Sequence, residues 1–309
     1  MEYQRVGTTD VRLSKIGFRC GSKGFNNSNI CNEKSQIETI HKALDLGINF
    51  FDTADIYCNG QAEKILSKGL GSHRKKVFIS TKVGLRYENK RYTTNLSKEY
   101  IKEAIEQSLR RLKTDVIDFY QAHWPDTNTP LSETFAAFNE CVEEGKVRFI
   151  GISNFSLDLL KQCSKYSLLA SHMIPLNFFK RESEIQVMPH CYRSNIAVLA
   201  SNPLALGLLR GNYNINTKFD KEFLENNPML KGATFRRNLV IVERLKSFCS
   251  NHNKSINELA IAWVLAHTAV TSTTCSASTP EEITEQVNAI NWKLSQEELA
   301  QIELLYNFG

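Results

Sequence analysis

Four polar side chains with chemically useful groups end, or closely follow, short apolar segments in the first half of the sequence: Asp52, Tyr57, Lys82 and His123. A tyrosine hydroxyl can deliver a proton to an alkoxide, although its pKa of about 10 makes donation difficult near neutral pH. A neighbouring ammonium would favour the phenolate and lower that pKa, which is the role we expect for Lys82. Asp52 would pair with the ammonium and keep it charged. His123 would hydrogen-bond a substrate oxygen and orient its carbonyl.

This combination of side chains predicts proton transfer to a carbonyl oxygen. The sequence offers no nucleophile with a matching base and no cluster of metal ligands, so we expect no metal. Hydride delivery is beyond protein side chains and would require a cofactor. Taken singly, Asp52 could cap a loop, His123 could be a core histidine and Tyr57 a surface tyrosine. Lys82 is harder to explain in this way, since buried lysines are rare without a partner.

The segments that must position these residues alternate between strand-like and helix-like patterns. Short runs rich in β-branched and aromatic residues end in polar residues, and a segment of helical periodicity follows. Repeated along the 309 residues, this alternation predicts a closed parallel barrel or a doubly wound sheet. Even spacing and the lack of a GxGxxG after any strand favour a (β/α)8 TIM barrel, with residues 1–309 as a single domain. The eight strand candidates are residues 15–19, 49–53, 77–82, 116–122, 147–153, 172–177, 196–201 and 270–275.

Turn and cap residues mark the ends of several further elements. Residues 3–6 and 11–14 flank a turn-forming cluster and predict an N-terminal β-hairpin. Ser97 is a good helix N-cap, and Ser295 with Glu298 forms a capping box. Clear helices are expected at residues 35–46, 97–111, 131–144, 255–267, 281–289 and 295–305.

The barrel hypothesis can be tested on the positions of the reactive residues. In such a barrel the chemistry belongs at the C-terminal ends of the strands. Asp52, Lys82, His123 and Asn154 end or follow four successive strand candidates, and Tyr57 follows Asp52 in the same loop. The sequence therefore predicts one site at one rim.

Composition narrows the class of protein. The formal charge is +5 and is spread along the chain, which indicates a solvated surface rather than a nucleic-acid patch. The eight cysteines form no CxxC pair, and no signal peptide or long apolar run is evident, so we expect reduced thiols in a cytoplasmic protein. We expect a small-molecule substrate, no nucleic-acid or membrane partner, and a monomer or weak homo-oligomer.

Nearly the whole chain resembles the aldo-keto reductase superfamily. The resemblance implies a barrel whose bottom is covered by an N-terminal hairpin, and a catalytic tetrad at Asp52, Tyr57, Lys82 and His123. It also implies NADPH lying extended across the rim without a Rossmann fold. The segments that carry the resemblance are GINFFDTADIY at residues 47–57, ISTK at 79–82, QAHWPD at 121–126 and GKVRFIGISNF at 145–155.

The resemblance assigns cofactor contacts along the rim. Ser153 and Asn154 match residues that hydrogen-bond the nicotinamide carboxamide, and residues 203–211 match the loop that wraps the pyrophosphate. The full set of cofactor-binding residues that it implies is Asp52, Ser153, Asn154, Ser201, Pro203, Leu204, Gly207, Leu209, Ser276, Ser278, Glu282 and Gln286.

Four of the cofactor positions depart from the family pattern. Met173 stands where a glutamine usually completes the carboxamide contacts, and Ser201 where an aromatic ring usually stacks on the nicotinamide. Ser278 replaces the arginine that grips the adenosine 2′-phosphate, and Gln286 an asparagine near the adenine. A charged Arg–phosphate hydrogen bond contributes roughly 1.5–3 kcal/mol, so its loss would erode the preference for NADP(H) and make NAD(H) an alternative.

The leading hypothesis is thus an NAD(P)H-dependent oxidoreductase that reduces an aldehyde or ketone. Two alternatives stay open: an acid–base enzyme on the same barrel with altered or lost nicotinamide use, and a non-catalytic regulatory barrel. We expect the long loop at residues 211–232 to overlie the cofactor or substrate, and a short C-terminal tail favours small or sugar-like substrates. Phe25, Tyr87 and Trp124 are candidates for the pocket mouth.

Overall fold

A computed structural model of the chain describes residues 1–21, 32–88 and 91–307. The chain opens with an antiparallel hairpin of β1 (Tyr3–Arg5) and β2 (Arg12–Ser14), in which Gln4 pairs with Leu13. This confirms the predicted N-terminal hairpin.

Eight parallel strands then close a barrel, in which each strand pairs with the next barrel strand along the chain and the last pairs with the first. The predicted (β/α)8 barrel is therefore confirmed. An antiparallel hairpin, which was not predicted, interrupts the series after the third barrel strand. The barrel strands are β3 (Ile16–Arg19), β4 (Phe50–Asp52), β5 (Phe78–Val83), β8 (Ile117–Ala122), β9 (Val147–Ser153), β10 (Leu169–Pro175), β11 (Ala197–Ser201) and β12 (Val270–Cys275), and the hairpin is β6 (Leu85–Glu88) with β7 (Arg91–Thr94).

Helices follow most of the barrel strands. All six predicted helices are present within two residues of their expected ends, and the Ser295–Glu298 capping box is formed in both directions. Four helices that were not predicted, α2, α5, α6 and α8, also occur, and the loop predicted at residues 211–232 contains a fifth, α7. The helices are α1 (Glu33–Asp45), α2 (Gln61–Leu70), α3 (Lys98–Leu112), α4 (Leu131–Glu143), α5 (Leu157–Cys163), α6 (Val187–Arg193), α7 (Lys221–Glu225), α8 (Gly232–Asn251), α9 (Ile256–Ala266), α10 (Pro280–Asn288) and α11 (Gln296–Asn307).

The inside of the barrel is filled by apolar side chains from several strands and from the hairpin. Phe50 and Phe119 meet edge to face there, with ring centroids 6.2 Å apart. Strand residues whose side chains point inward alternate with residues that pack against the helices, as the two-residue period of a strand requires. The inner cluster consists of Val6, Val11, Leu13, Phe50, Phe119, Met173, Ala197 and Leu199.

The N-terminal hairpin covers the end of the barrel at which the strands begin. Gly7 adopts a left-handed conformation with φ of +48°, and a Cβ on this residue would lie 2.1 Å from the carbonyl oxygen of Asn195. Asn195 lies just before β11, so the turn of the hairpin presses directly on this end of the barrel. The opposite end, at which the strands finish, is therefore the end that can hold a functional site.

The cysteines correct one expectation. Among the described residues six cysteines are free and buried, but Cys58 is disulfide-bonded, so the prediction of reduced thiols throughout is wrong for this residue. Sequence spacing cannot reveal such a bond, because it depends on how close two Cα atoms come in the fold. Among the described residues, no helix combines the length and the apolar character that a membrane crossing requires.

Candidate active site

The four residues predicted to act together do meet at the C-terminal end of the barrel. The Lys82 ammonium donates to Oδ1 of Asp52 at 2.6 Å and to the carbonyl oxygen of Thr53 at 2.7 Å. It lies 5.4 Å from the centre of the Tyr57 ring. The rings of Tyr57 and His123 meet edge to face with centroids 5.7 Å apart. All four side chains are buried, so the site is a compact cluster beneath the rim.

A strained turn holds Tyr57 over this cluster. Cys58 and Asn59 both have φ near +50°, a left-handed conformation that is uncommon outside glycine. The amide of Tyr57 donates to the carbonyl oxygen of Ala54, and that of Asn59 to the carbonyl oxygen of Ile56. Consecutive left-handed residues persist only where the surroundings impose them, which is common at functional sites.

A fifth residue, Arg19, belongs to the cluster and was missed by the sequence analysis. It ends β3 and is buried, and its Nε donates to Oδ2 of Asp52 at 2.8 Å. Its Nη2 donates to the hydroxyl of Thr274 at 2.7 Å. The signal was available, because Arg19 ends an apolar strand just as Lys82 does, but no matching family motif drew attention to it.

The Arg19 guanidinium therefore crosses the mouth of the barrel, by which we mean the end at which the strands finish. It connects the first barrel strand, β3, with the last three, β10, β11 and β12. Besides Thr274, its Nη2 contacts Sδ of Met173 at 3.2 Å, and its Nη1 donates to Oδ1 of Asn202 at 3.3 Å. Met173 pairs in register with Ser153 on the neighbouring strand. The guanidinium of Arg19 thus reaches across the barrel to the strand next to the one that carries Ser153, a predicted nicotinamide-binding residue.

Asp52 is shared by two cations, which perturbs both of them. Burial lowers the pKa of Lys82 to about 8; the charge of Asp52 opposes this fall, and the charge of Arg19 adds to it. Burial alone would lower the pKa of Arg19, but the charge and hydrogen bond of Asp52, together with Tyr57 and Cys275, outweigh it, and the pKa is raised above its usual value. Near neutral pH both cations are charged, and only one of the two charges is balanced by Asp52.

The other titratable groups of the mouth are uncharged near neutral pH. Burial, helped by the charges of Lys82 and Arg19, lowers the pKa of His123 well below its usual value, so the imidazole is neutral. Burial and the nearby Glu63 raise the pKa of Asp55 to about 8, so this carboxyl is mostly protonated. The cluster therefore carries one net positive charge.

The net shift in the pKa of Tyr57 is upward, whereas the sequence analysis considered only the lowering by a neighbouring ammonium. Burial raises the pKa of the Tyr57 hydroxyl above its usual value, and the charges of Asp52 and Asp55 add to this rise. The cation that opposes it most is Arg19. Desolvation of the phenolate outweighs the attraction of the nearby cations, and Tyr57 stays protonated in the protein at neutral pH.

The positions predicted to bind a nicotinamide retain two of the groups that the resemblance implies. Asn154 has a left-handed backbone with φ of +63°, and its Nδ2 donates to the carbonyl oxygen of His123 and to the hydroxyl of Ser153, both at 3.0 Å. The Ser153 hydroxyl and the Asn154 side-chain oxygen can bind an amide. Met173 and Ser201 offer neither an amide nor a ring, as the sequence indicated.

The turn after β11 brings the predicted pyrophosphate-binding residues together. Gly207 has φ of +93°, and a Cβ there would lie 2.7 Å from the hydroxyl of Tyr213, which donates to the carbonyl oxygen of Leu206. Tyr213 in turn packs against Phe219, with ring centroids 5.0 Å apart. Residues of the long loop therefore pack on this turn. Pro203, Leu204 and Leu209 lie in the same turn or its short helical continuation.

The residues predicted to contact the adenosine part of a dinucleotide lie at or near the start of α10. Oε2 of Glu282 accepts from the amide of Ser278 at 2.8 Å, and Arg210 forms a bidentate pair with Glu282 at 2.7 and 3.1 Å. Arg210 also donates to the carbonyl oxygen of Ser276. Gln286 donates from Nε2 to this same carbonyl, and its buried Oε1 has no hydrogen bond from any described residue.

Of the three predicted mouth residues, two can be placed. Trp124 follows His123 and is 43% exposed. Tyr87 lies on the β6–β7 hairpin and packs on Tyr92. Phe25 lies outside the described residues. Within those residues, no group of three or more His, Cys, Asp or Glu side chains could hold a metal ion.

Comparison with known proteins gives a consistent result. The sequence profile described as the Aldo/keto reductase family matches residues 17–307. The aldo-keto reductase YhdN of Bacillus subtilis is 32% identical over 99% of this chain and 93% of its own length. The NADH-specific methylglyoxal reductase of Escherichia coli is 32% identical over 94% of each chain. The solved structure of the glycerol dehydrogenase from Gluconobacter oxydans superposes with a TM-score of 0.88, at 29% identity, over 98% of this chain and 94% of that one.

Proposed function

Because this chain belongs to the aldo/keto reductase family, we propose that it is an oxidoreductase that reduces a small aldehyde or ketone to an alcohol with a reduced nicotinamide dinucleotide. The observation that carries this proposal is the contact between Lys82 and Asp52 at 2.6 Å directly beside the rings of Tyr57 and His123.

In this proposal the proton comes from Tyr57. Its hydroxyl is protonated at neutral pH, because burial raises its pKa, and it can donate to the oxygen of a bound carbonyl as negative charge develops there. The positive charges of Lys82 and Arg19 stabilise the phenolate that donation leaves behind. His123 is neutral and keeps one N–H donor that can orient the carbonyl oxygen. Ser153 and Asn154 would hold the carboxamide of a dihydronicotinamide, which would supply the hydride when bound.

The residues present fit a dinucleotide, although not in every position. Ser153 and Asn154 can hold the carboxamide, and the buried Oε1 of Gln286 can accept from an adenine amino group. Met173 and Ser201 add no further polar or stacking contact. We therefore expect micromolar rather than tighter binding.

The adenosine end favours NADH over NADPH. A 2′-phosphate near Ser278 would meet the carboxylate of Glu282, which already occupies the Ser278 amide at 2.8 Å. Arg210, the nearby cation, is engaged by the same carboxylate. An anion placed there would thus face negative charge instead of an available arginine.

The substrate is proposed to be small and polar. One relative is named for methylglyoxal and one structural neighbour for glycerol, both three-carbon compounds. The compact cluster beneath the rim, with its four buried polar side chains, suits a carbonyl that approaches with little apolar bulk.

One alternative has a specific observation in its favour. Met173 and Ser201 remove two contacts to the nicotinamide, which favours an acid–base enzyme that works without this cofactor. Against a non-catalytic barrel stands the buried Lys82–Asp52 pair, since such pairs are costly to desolvate and gain little for stability.

A binding experiment decides between these functions. We expect NADH, titrated into dinucleotide-free protein and followed by its fluorescence, to bind in the micromolar range and more tightly than NADPH. A panel of small aldehydes with the tighter cofactor then identifies the substrate class. Absence of binding by either dinucleotide at millimolar concentration would contradict the proposal, and turnover that persists in dinucleotide-free protein would support the acid–base alternative.

A further inference from the structure

A cleft on the side of the barrel lies next to the loop that carries Tyr57. It has a volume of about 280 Å³ and is lined by Asp55, Ile56 and Asn59 of that loop, by strand β6 and by one face of α3. We call it the side cleft. Among the described residues that line it, none is predicted to bind a dinucleotide. Its volume suits a ligand smaller than a typical drug molecule.

The side cleft contains two cations, and both are already paired with carboxylates. Arg111 donates from Nε to Oε2 of Glu63 at 2.6 Å. Arg86 forms an ion pair with Glu88, and its guanidinium lies over the ring of Tyr100 at 5.2 Å. Because both positive charges are compensated, an anion that enters the cleft would gain little from them.

Two carboxyl groups of the side cleft lack such a partner. Of the ion pairs that the described residues form, none includes Asp55 or Glu103. Glu103 accepts one hydrogen bond, from Nε2 of Gln107 at 2.9 Å. Oδ1 of Asp55 is buried and receives no hydrogen bond from any described residue. A buried oxygen without a donor is costly, so the cleft favours a ligand that brings donors and a positive charge.

We propose that the side cleft binds a small organic cation, a primary ammonium, with Asp55 and Glu103 as its acceptors. An ammonium presents three N–H donors. Ile56, Leu85 and Ala104 line the same cleft and provide an apolar surface for a short carbon chain. A metal ion fits less well, because the described part of the chain has no group of three or more His, Cys, Asp or Glu side chains that could hold one. The inference goes beyond the proposed function and does not depend on it.

Binding of a cation should change the protonation of Asp55. Burial and the charge of Glu63 raise the pKa of Asp55 to about 8, although the charges of Arg111 and Lys82 oppose this rise, so the empty site is mostly protonated at pH 7. An ammonium beside the carboxyl favours its charged form. Binding therefore releases a proton, and the affinity rises with pH below about 8. The other charged or titratable groups on the elements around Asp55 are Arg86, Glu88 and Glu103, and the tyrosines Tyr57, Tyr100 and Tyr120, whose pKa values burial raises.

The test measures binding of propylammonium to the full chain by isothermal titration calorimetry at constant ionic strength. 1-Propanol and propionate serve as the neutral and anionic analogues. We expect propylammonium to bind with a dissociation constant on the order of 1 mM, a reasonable value for four heavy atoms, and the analogues at least tenfold more weakly. With a pKa of about 8 at Asp55, binding should tighten about ninefold from pH 6 to pH 7. Titrations in two buffers of different ionisation enthalpy should show the release of about one proton at pH 7.

Variants locate the bound cation in the side cleft. Asp55→Asn should weaken propylammonium binding at least about tenfold at pH 8 and remove its dependence on pH, because the titrating charge is lost. Ala104→Leu, which fills the cleft from its apolar side, should also prevent binding, and it serves if the asparagine variant fails to fold. Glu99→Gln, at an exposed carboxylate one turn before Glu103 on α3, is the control and should keep the wild-type constant.

Three results would overturn the proposal. Propionate that binds as tightly as propylammonium would mean that the arginines of the cleft set its preference. Propylammonium binding that is unchanged in both Asp55→Asn and Ala104→Leu would place the cation elsewhere. The lack of any binding in the wild type up to about 50-fold above the expected constant would remove the site altogether. Since no step uses a dinucleotide or turnover, each of these results leaves the proposed function standing.

Discussion

Arg19 binds the carboxylate oxygen of Asp52 that Lys82 leaves unused: Nε of Arg19 lies 2.8 Å from Oδ2, and Nζ of Lys82 lies 2.6 Å from Oδ1. A single carboxylate thus fixes two cations beside Tyr57. Through this carboxylate, a change at Arg19 is expected to alter the pKa of Lys82 and the charge next to the proton donor Tyr57.

Removal of the Tyr57 hydroxyl should abolish proton donation without disturbing the cluster. We expect Tyr57→Phe to lower kcat/KM for aldehyde reduction by roughly 10²–10⁴-fold, the usual contribution of general acid catalysis. Binding of NADH should change by less than about threefold, because the ring and its packing on His123 remain. Tyr166→Phe, at a tyrosine that is 47% exposed, is the matched control and should retain wild-type activity. Equal losses in both variants would rule out Tyr57 as the donor.

The charge on Lys82 should set the alkaline limit of activity. An ammonium is present below its pKa and lost above it, and burial lowers the pKa of Lys82 to about 8. We therefore expect kcat/KM to decline as the pH rises through about 8, well below the usual pKa of a lysine. A profile of kcat/KM against pH measures this limb. Activity that stays constant to pH 10 would show that the charge on Lys82 is dispensable.

Arg19 should influence the pH at which kcat/KM declines, since its charge lowers the pKa of Lys82. Removal of the charge in Arg19→Met is expected to raise this pKa and move the decline to higher pH. In Arg19→Lys the decline of kcat/KM should occur near the wild-type pH. A shift to lower pH in Arg19→Met would contradict the electrostatic coupling of the two cations through Asp52.

Glu282 should control the preference for the dinucleotide. In Glu282→Gln the amide of Ser278 and the guanidinium of Arg210 face a neutral amide instead of a carboxylate, so a 2′-phosphate beside them no longer meets a negative charge. We expect the affinity for NADPH to rise about tenfold, a gain of ~1.4 kcal/mol, with little change for NADH. Glu281→Gln, at the adjacent exposed glutamate, controls for loss of charge alone. A parallel rise in the control would mean that general electrostatics, and not this contact, governs the choice.

Substitution of Gly7 should lower the stability of the fold rather than the activity of the site. Gly7→Ala places a Cβ 2.1 Å from the Asn195 carbonyl oxygen in a backbone that alanine rarely adopts. Gly145 has a comparable left-handed φ of +72° but open space around it. We expect Gly145→Ala to cost about 1 kcal/mol in the free energy of unfolding and Gly7→Ala roughly twice that or more. Urea denaturation measures both, and equal losses would show that the hairpin does not press on Asn195.

The sequence predicted the barrel because its signals are local and repeated. Each strand candidate was an apolar segment that ends in a polar residue or is followed by one, and the Ser295–Glu298 cap could be read from spacing alone. Helix α8 was missed because arginines at positions 236 and 237 interrupt its apolar pattern near the start. The stripe that packs, including Phe235, Ile241 and Leu245, is apparent only against its neighbours.

The site shows the same difference between features that are local in the sequence and features that depend on distant residues. Asp52, Tyr57, Lys82 and His123 could be predicted, because each occupies a recognisable place at the end of a strand or in the following loop. The role of Arg19 could not, since its partners Met173, Asn202 and Thr274 lie at least 154 positions away. The raised pKa of Tyr57 also depends on burial, which residue types alone do not report.

The hairpin packs Gly7 against Asn195 at an end of the barrel whose interior is already filled by side chains such as Phe50 and Phe119, so a ligand can reach only the opposite end. Substrate, product and the water that restores a proton to Tyr57 all have to pass through the same opening. Substitutions at the open end are expected to change ligand binding, whereas substitutions in the hairpin are expected to change stability. The two properties can therefore evolve separately in this protein, because they depend on opposite ends of one structure.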